Sequence, residues 1–102
     1  MAVGMLLMGE AVTRDTYMQL TEQMFGNYPM REDQAPDGLL VHTAGATDQG
    51  WYVYDIWESP EHFQRFAESK LGPAVETLDL PAGSRPDPQF FPIETLVKGP
   101  AL

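Results

Sequence analysis

Hydrophobic and polar positions alternate with period two in some segments and follow the 3.6-residue period of a helix in others. The period-two segments and the continuously apolar segments predict the strands. Residues 3–8 (VGMLLM) are apolar on both faces, which predicts a central strand that is covered on two sides. Residues 39–44 and 51–57 alternate with period two around the loop GATDQG, which predicts an antiparallel hairpin. Residues 89–97 predict a last strand, and Pro92 indicates an edge position or a bulge because proline cannot donate to a ladder.

Two segments follow the 3.6-residue period of an amphipathic helix. The first has Thr13 as its N-cap and Gly26 as a left-handed closing residue, with its apolar stripe between them. The second begins with the cap Ser59 and Pro60, and Gly72 with the following proline is expected to end it. Residues 73–80 can add a further helical turn or two. The stretch from 51 to 66 therefore predicts a strand that leads directly into a helix.

The order of elements is β-α-β-β-α-β, the split arrangement of the ferredoxin-like α+β fold. It predicts a single domain, residues 1–102, in which two helices cover one face of a four-stranded antiparallel sheet. Residues 27–38 and 81–88 are rich in Pro, Asp and Gly and predict irregular surface loops. We expect the first of these loops to fold over the mouth of a pocket.

Pairing Ala44 with Trp51 across the hairpin assigns each residue of its two strands to a face of the sheet. In that register His42 faces Val53, and Leu40 faces Asp55. The helix-covered face then carries Leu40, His42, Ala44, Trp51, Val53, Asp55 and Trp57, and the other face carries Leu39, Val41, Thr43, Tyr52, Tyr54 and Ile56.

The face without helices predicts a protein partner. Val41, Tyr52, Tyr54 and Ile56 would form an exposed apolar patch in a monomer, and such patches commonly mark association surfaces. Two sheets packed face to face would bury it. We therefore expect a homodimer.

Composition excludes several classes of function. The chain has 6 Lys and Arg against 15 Asp and Glu, a net charge of −9, and its basic residues are scattered. Nucleic acid and anionic membranes need clustered positive charge, so neither is an expected partner. There is no cysteine, hence no disulfide and no thiolate chemistry. The apolar start lacks the basic flank of a signal peptide, and a cytoplasmic location is the default expectation.

His42 and Asp55 are the candidate catalytic residues. A carboxylate that orients an imidazole is the arrangement of a general base, and an acidic residue in a central strand needs a donor if it is buried. His42, Tyr17 or a loop arginine could supply that donor. The alternative for both residues is structural: a hydrogen-bonded core histidine and a paired aspartate.

Aromatic and apolar side chains would enclose a substrate next to this pair. Trp57 and Trp51 can serve either as packing residues or as platforms for an aromatic molecule. The opposite wall would come from Tyr17 and Met24 on the first helix and Phe63 and Phe66 on the second, although such stripes are commonly plain core. The two histidines, His42 and His62, lie on different elements without a third ligand, so no metal site is predicted.

The element order and the segments Gly38–His42 (GLLVH) and Trp57–Ser59 (WES), followed by the Phe63 and Phe66 stripe, resemble the dimeric α/β-barrel superfamily that contains the antibiotic biosynthesis monooxygenases. The resemblance implies a small apolar substrate and one of several activities: cofactor-free quinone-forming oxygenation, haem degradation, isomerisation or cyclisation. It also implies that Trp57 lines the pocket. The quinone-forming members carry an asparagine at the position of Val53, and valine brings no amide to hold an oxyanion or peroxide. The haem-degrading members carry a ligand histidine near the position of Ala67. Alanine cannot bind the haem iron, so the resemblance implies no haem here, and no cofactor is expected.

Three hypotheses remain open from the sequence. The first is a small enzyme of specialised metabolism that removes a proton from an aromatic or polyketide-like substrate, leading to oxygenation, cyclisation or isomerisation. The second is a binding or accessory protein that sequesters a hydrophobic metabolite. The third is a structural dimer with a filled core.

Overall fold

The protein forms an antiparallel sheet with helices on one of its faces. A computed structural model describes residues 1–9, 12–78 and 87–102, and within them the chain forms four strands in the order β2-β3-β1-β4. The elements are β1 Val3–Met8, α1 Arg14–Phe25, β2 Leu39–Thr47, β3 Gly50–Trp57, α2 Pro60–Phe66, α3 Gly72–Thr77 and β4 Gln89–Pro92. This confirms the predicted ferredoxin-like arrangement. The loop predicted over 81–88 lies outside the described residues up to position 86.

The caps predicted for the helix ends are present. The Thr13 side chain accepts a hydrogen bond from the Thr16 backbone N–H at 3.1 Å, and Gly26 ends α1 in the left-handed region with φ 80°. The side chain of Ser59 accepts from the His62 backbone N–H at 3.3 Å, and Pro60 occupies the first turn of α2. Helices α1 and α2 therefore begin at the residues that the sequence indicates.

The expected end of the second helix at Gly72 is wrong. A π-helical segment, Ala67–Leu71, continues the path of α2 into α3, and Gly72 itself is helical with φ −57°. Its N–H donates to the carbonyl of Ala67, five residues earlier. In a regular α-helix the ring of Pro73 would clash with the carbonyl four residues before it, and a wider turn relieves that clash. The helix thus passes through the proline, as far as Thr77.

The hairpin register differs from the prediction by two residues. Ala46, not Ala44, faces Trp51, and His42 lies directly opposite Asp55. The turn consists of Asp48 and Gln49 alone, and the hydroxyl of Thr47 closes it by donating to the Gly50 carbonyl at 2.8 Å. A shift of two residues preserves the face of each side chain, so the predicted faces hold beyond the first residues of β2.

A bulge between Leu39 and Val41 reverses the assignment at the start of β2. Leu39 pairs with Trp57 and packs against the core, whereas Leu40 is 43% exposed. The extra residue at a bulge moves the following side chain to the opposite face, which sequence alternation alone does not indicate.

The last strand is shorter than predicted but lies where Pro92 indicated. β4 ends at Pro92, opposite Val3 at the first residue of β1, and one further backbone bond, from the Ile93 N–H to the Ala2 carbonyl at 3.0 Å, follows it. β4 forms the sheet edge beside the central strand β1. The most buried side chains, Met5 and Trp57 at 1% exposure each, lie on the helix-covered face. No described helix is long and apolar enough to cross a membrane.

Two glycines with positive φ allow a matched stability test. Gly26 has φ 80° and open space where a Cβ would lie, whereas at Gly38, with φ 85°, a Cβ would overlap the His62 side chain. Gly26→Ala should lower the free energy of unfolding by about 1 kcal/mol, the cost of the left-handed backbone. Gly38→Ala should lower it by about 2–4 kcal/mol, because His62 must also move. Urea unfolding measures both, and equal losses would contradict the contact between Gly38 and His62.

Candidate active site

A cavity of about 300 Å³ lies between the sheet and the helices. Strands β1, β2 and β3 supply its floor, and α1 with the α2–α3 path supplies its walls. Eight of the nine side chains that the sequence indicated for the site line this cavity: Tyr17, Met24, His42, Val53, Asp55, Trp57, Phe63 and Phe66. The structure therefore brings the predicted site together in one apolar space.

A chain of hydrogen bonds crosses the wall of the cavity from β3 through β2 to α1. Asp55 Oδ1 lies 2.7 Å from His42 Nδ1, and the opposite ring nitrogen, Nε2, is hydrogen-bonded to the hydroxyl of Tyr17. The direct cross-strand pairing of His42 with Asp55 aligns the first contact. Tyr17 reaches His42 because it points inward from the second turn of α1.

The carboxylate of Asp55 determines which atom donates and which accepts in each of these hydrogen bonds. Trp57 Nε1–H donates to Asp55 Oδ2 at 3.2 Å, and His42 Nδ1–H donates to Oδ1. The Nε2 of a neutral imidazole then carries a lone pair and accepts the hydrogen bond from the Tyr17 hydroxyl. Asp55 thus holds His42 in the tautomer that a general base needs.

Asp55 is buried, at 5% exposure, and both of its oxygens have donors. Of the donors that the sequence suggested, His42 is the one within the described residues that bonds to it directly. Trp57 is the second donor and was missed, because sequence patterning treats tryptophan as an apolar residue. Since its indole faces cross-strand and helix neighbours at 1% exposure, Trp57 both packs the core and anchors the carboxylate.

Three aromatic rings fix the position of Tyr17. Its ring stacks on His42 with centroids 5.9 Å apart, meets Tyr28 edge-on at 5.9 Å and lies 5.6 Å from the Trp51 ring. Burial, with smaller contributions from Tyr28 and Asp55, raises the pKa of Tyr17 to about 12. The phenol therefore stays protonated at neutral pH and donates to His42.

Trp51 lies behind the cavity wall. Among the described residues it packs against Tyr17 rather than lining the space itself, and its buried indole N–H has no hydrogen-bond partner there. Its predicted contribution to substrate binding would therefore act through the placement of Tyr17.

The remaining walls are apolar. Phe66 lies 5.6 Å from the Trp57 ring, and Phe63 meets the same ring edge-on at 5.6 Å. Val53, on the floor beside Asp55, and Ala67 also line the cavity, and neither side chain carries a polar group.

The loop over 27–38 contributes to the cavity, as the sequence indicated. Met30 and Pro36 belong to the lining, although neither had been identified as a site residue. The side chain of Gln34 ties the loop to α1: its Nε2 donates to the Phe25 carbonyl at 3.0 Å and to Asn27 Oδ1 at 2.8 Å. Irregular backbone of this kind has no periodicity, so sequence patterns do not predict which of its residues turn inward.

His62 takes no part in the chain of hydrogen bonds. Its Nδ1 lies 2.7 Å from the hydroxyl of Ser59, and its Nε2 lies 3.5 Å from Glu58. Within the described ranges, no group of three or more His, Asp or Glu side chains is arranged to hold a metal ion.

Comparisons with known proteins agree on the fold. No family model matches the sequence, and no curated protein is significantly similar to it. A monooxygenase from the gene ActVA-Orf6 of Streptomyces coelicolor, in complex with the ligand Nanaomycin D, superimposes with a TM-score of 0.56 at 18% identity, over 96% of this chain and 92% of that one. SnoaB, a cofactor-independent oxygenase from Streptomyces nogalater solved as a point mutant, gives a TM-score of 0.52 at 14% identity over 96% of each chain. The chain thus has the ferredoxin-like fold of these two oxygenases, as the element order predicted.

Proposed function

We propose that this protein is an enzyme that removes a proton from an apolar aromatic or polyketide-like substrate. The observation that supports it is the chain of hydrogen bonds from Asp55 through His42 to Tyr17 in the wall of an apolar cavity. A structural dimer with a filled core would have no such space. The cavity of about 300 Å³ lies at the lower end of the range for small-molecule sites.

In this proposal His42 is the general base, and Asp55 orients it. Removal of a proton turns neutral His42 into an imidazolium, and the carboxylate 2.7 Å away stabilises that charge. Trp57 keeps Asp55 in place from its other oxygen. Because the surroundings are apolar, the attraction between imidazolium and carboxylate is stronger than it would be in water.

The charge of the lining restricts the substrate. Among the described residues that line the cavity there is one carboxylate, Asp55, and no lysine or arginine. A substrate carboxylate or phosphate would enter this space without a cation to compensate it, at a large desolvation cost. We therefore infer a substrate that is neutral when it binds and becomes an anion only during the reaction.

Oxygenation is the favoured outcome of proton removal. Two solved proteins with this fold are a monooxygenase and a cofactor-independent oxygenase. An aryl ketone that has lost a proton is electron-rich, and conversion of its methylene to a carbonyl by one dioxygen releases one water. Cyclisation and isomerisation start from the same anion. Val53 supplies no hydrogen bond to an oxygen intermediate, so such a contact must come from other groups of the lining.

A non-catalytic binding protein is the second candidate, and one observation favours it. The hydroxyl of Tyr17 already satisfies His42 Nε2, so the chain of hydrogen bonds is complete without a substrate. In that case Asp55, His42 and Tyr17 would be structural polar groups in the wall of a pocket that sequesters a hydrophobic metabolite.

We also propose that the protein is a homodimer through the helix-free face of its sheet. Val41, Tyr52, Tyr54 and Ile56 are all partly exposed in the single chain. The Tyr54 ring lies against Gly4, where a Cβ would overlap it, so the face presents flat aromatic surface. A second copy of this face would cover it.

Substituting His42 tests the proposed reaction. Anthrone, a neutral tricyclic ketone with an acidic methylene, serves as the probe, and exchange of its methylene protons in D2O without dioxygen reports proton removal alone. The wild-type protein should accelerate this exchange, and His42→Gln should reduce the acceleration by about 10²–10⁴-fold because glutamine keeps hydrogen bonds but is no base. Mass spectrometry of the recovered anthrone measures the rate.

Binding must be measured alongside exchange. Tryptophan fluorescence should show that His42→Gln still binds anthrone, and Asp55→Asn should lose exchange to a similar extent because the base is no longer oriented. Binding without any accelerated exchange by the wild-type protein would favour the non-catalytic candidate. Unchanged exchange in His42→Gln would refute the assigned base.

Sedimentation tests the dimer. At micromolar concentration the wild-type protein should sediment with twice the 11.4 kDa mass of the chain. Ile56→Arg places a charge on the proposed interface and should shift the protein to monomer, whereas Gln19→Arg adds the same charge on exposed α1 and should not. A wild-type monomer would rule the dimer out.

A further inference from the structure

The two ring nitrogens of His42 are both occupied, although the cavity reaches this side chain. Nδ1 bonds to Asp55, and the lone pair on Nε2 is taken by the hydroxyl of Tyr17. A substrate that approaches His42 finds no free lone pair. Tyr17 ends these hydrogen bonds and also lines the cavity, and its phenolic oxygen, which uses its hydrogen toward His42, has lone pairs that can accept a hydrogen bond.

We propose that Tyr17 is itself a catalytic residue, which receives the proton of the substrate while passing its own hydroxyl proton to His42. This inference rests on the proposed function, since it assumes that His42 is the final proton acceptor. It changes the atom that meets the substrate from His42 Nε2 to the oxygen of Tyr17.

The transfer is balanced without any co-reactant. The C–H or O–H bond of the substrate breaks, and its proton forms an O–H bond on Tyr17. The original O–H bond of Tyr17 breaks as its proton forms an N–H bond on His42 Nε2. The products are a substrate anion, a neutral phenol and an imidazolium paired with Asp55, and the reverse transfers restore the resting state.

The packing around Tyr17 favours a proton relay through its hydroxyl over a substrate that pushes the phenol away from His42. His42, Tyr28 and Trp51 contact its ring on several sides. Swinging the phenol away from His42 would break these contacts. The raised pKa of Tyr17 agrees with a concerted transfer, because a free phenolate would not accumulate at neutral pH.

The variant Tyr17→Phe distinguishes a proton relay through Tyr17 from a Tyr17 that only covers His42. With a relay, anaerobic exchange of anthrone protons should fall by about 10²–10⁴-fold, as far as in His42→Gln, while anthrone still binds. If Tyr17 only covers His42, removal of its hydroxyl frees Nε2, and exchange should stay the same or rise. Ser69→Ala, which removes an exposed hydroxyl outside the cavity, should leave exchange unchanged.

A second variant keeps the test valid if Tyr17→Phe folds poorly. Replacing Tyr17 with 3-fluorotyrosine retains the ring and the hydroxyl but makes the phenol more acidic. A relay predicts a several-fold change in the exchange rate, and an unchanged rate would overturn the relay.

The exchange rate of His42→Gln distinguishes a failure of the proposed function from a failure of the relay alone. Full exchange in His42→Gln defeats the proposed function and the relay together. Lost exchange in His42→Gln with retained exchange in Tyr17→Phe defeats the relay alone and leaves His42 as the base.

Discussion

The buried carboxylate of Asp55 is the constraint on which the site depends. An aspartate at this depth must have a donor for each oxygen, because an unpaired buried charge costs several kcal/mol, of order 3–5 when a partner is removed. His42 and Trp57 are those donors. Meeting this requirement fixes the histidine tautomer, and in that tautomer Nε2 carries the lone pair that accepts from the Tyr17 hydroxyl. The two hydrogen bonds that satisfy the buried carboxylate thus also prepare His42 for the proposed reaction.

The fold supplies this arrangement from rigid elements. His42 and Asp55 are cross-strand neighbours, and the backbone ladder between β2 and β3 sets their separation. Tyr17 comes from a helix capped at both ends. The loop over residues 27–38 is less regular, and Gln34 ties it back to α1. Groups placed on strands and capped helices are held more precisely than groups on loops, which suits proton transfer over hydrogen-bond distances.

The sequence predicts the faces of the elements better than it predicts their contacts. Period-two alternation put His42, Asp55 and Trp57 on one face even though the assumed register was wrong by two residues, because such a shift preserves faces. The same pattern failed at Leu39, where a bulge reverses the alternation. It also could not show that Tyr17 reaches His42 or that Trp57 donates to Asp55, since both contacts depend on side-chain directions in the packed core.

The tautomer of His42 is the most direct measure of this site. In a ¹⁵N-labelled protein, long-range ¹H–¹⁵N correlation spectra distinguish a protonated ring nitrogen from one with a free lone pair. For His42 we expect hydrogen on Nδ1, bonded to Asp55, and an Nε2 that accepts from Tyr17, with the Nε2 shift changing in Tyr17→Phe. Hydrogen on Nε2 with a bare Nδ1 would contradict the chain of hydrogen bonds, and with it the role of His42 as an oriented base.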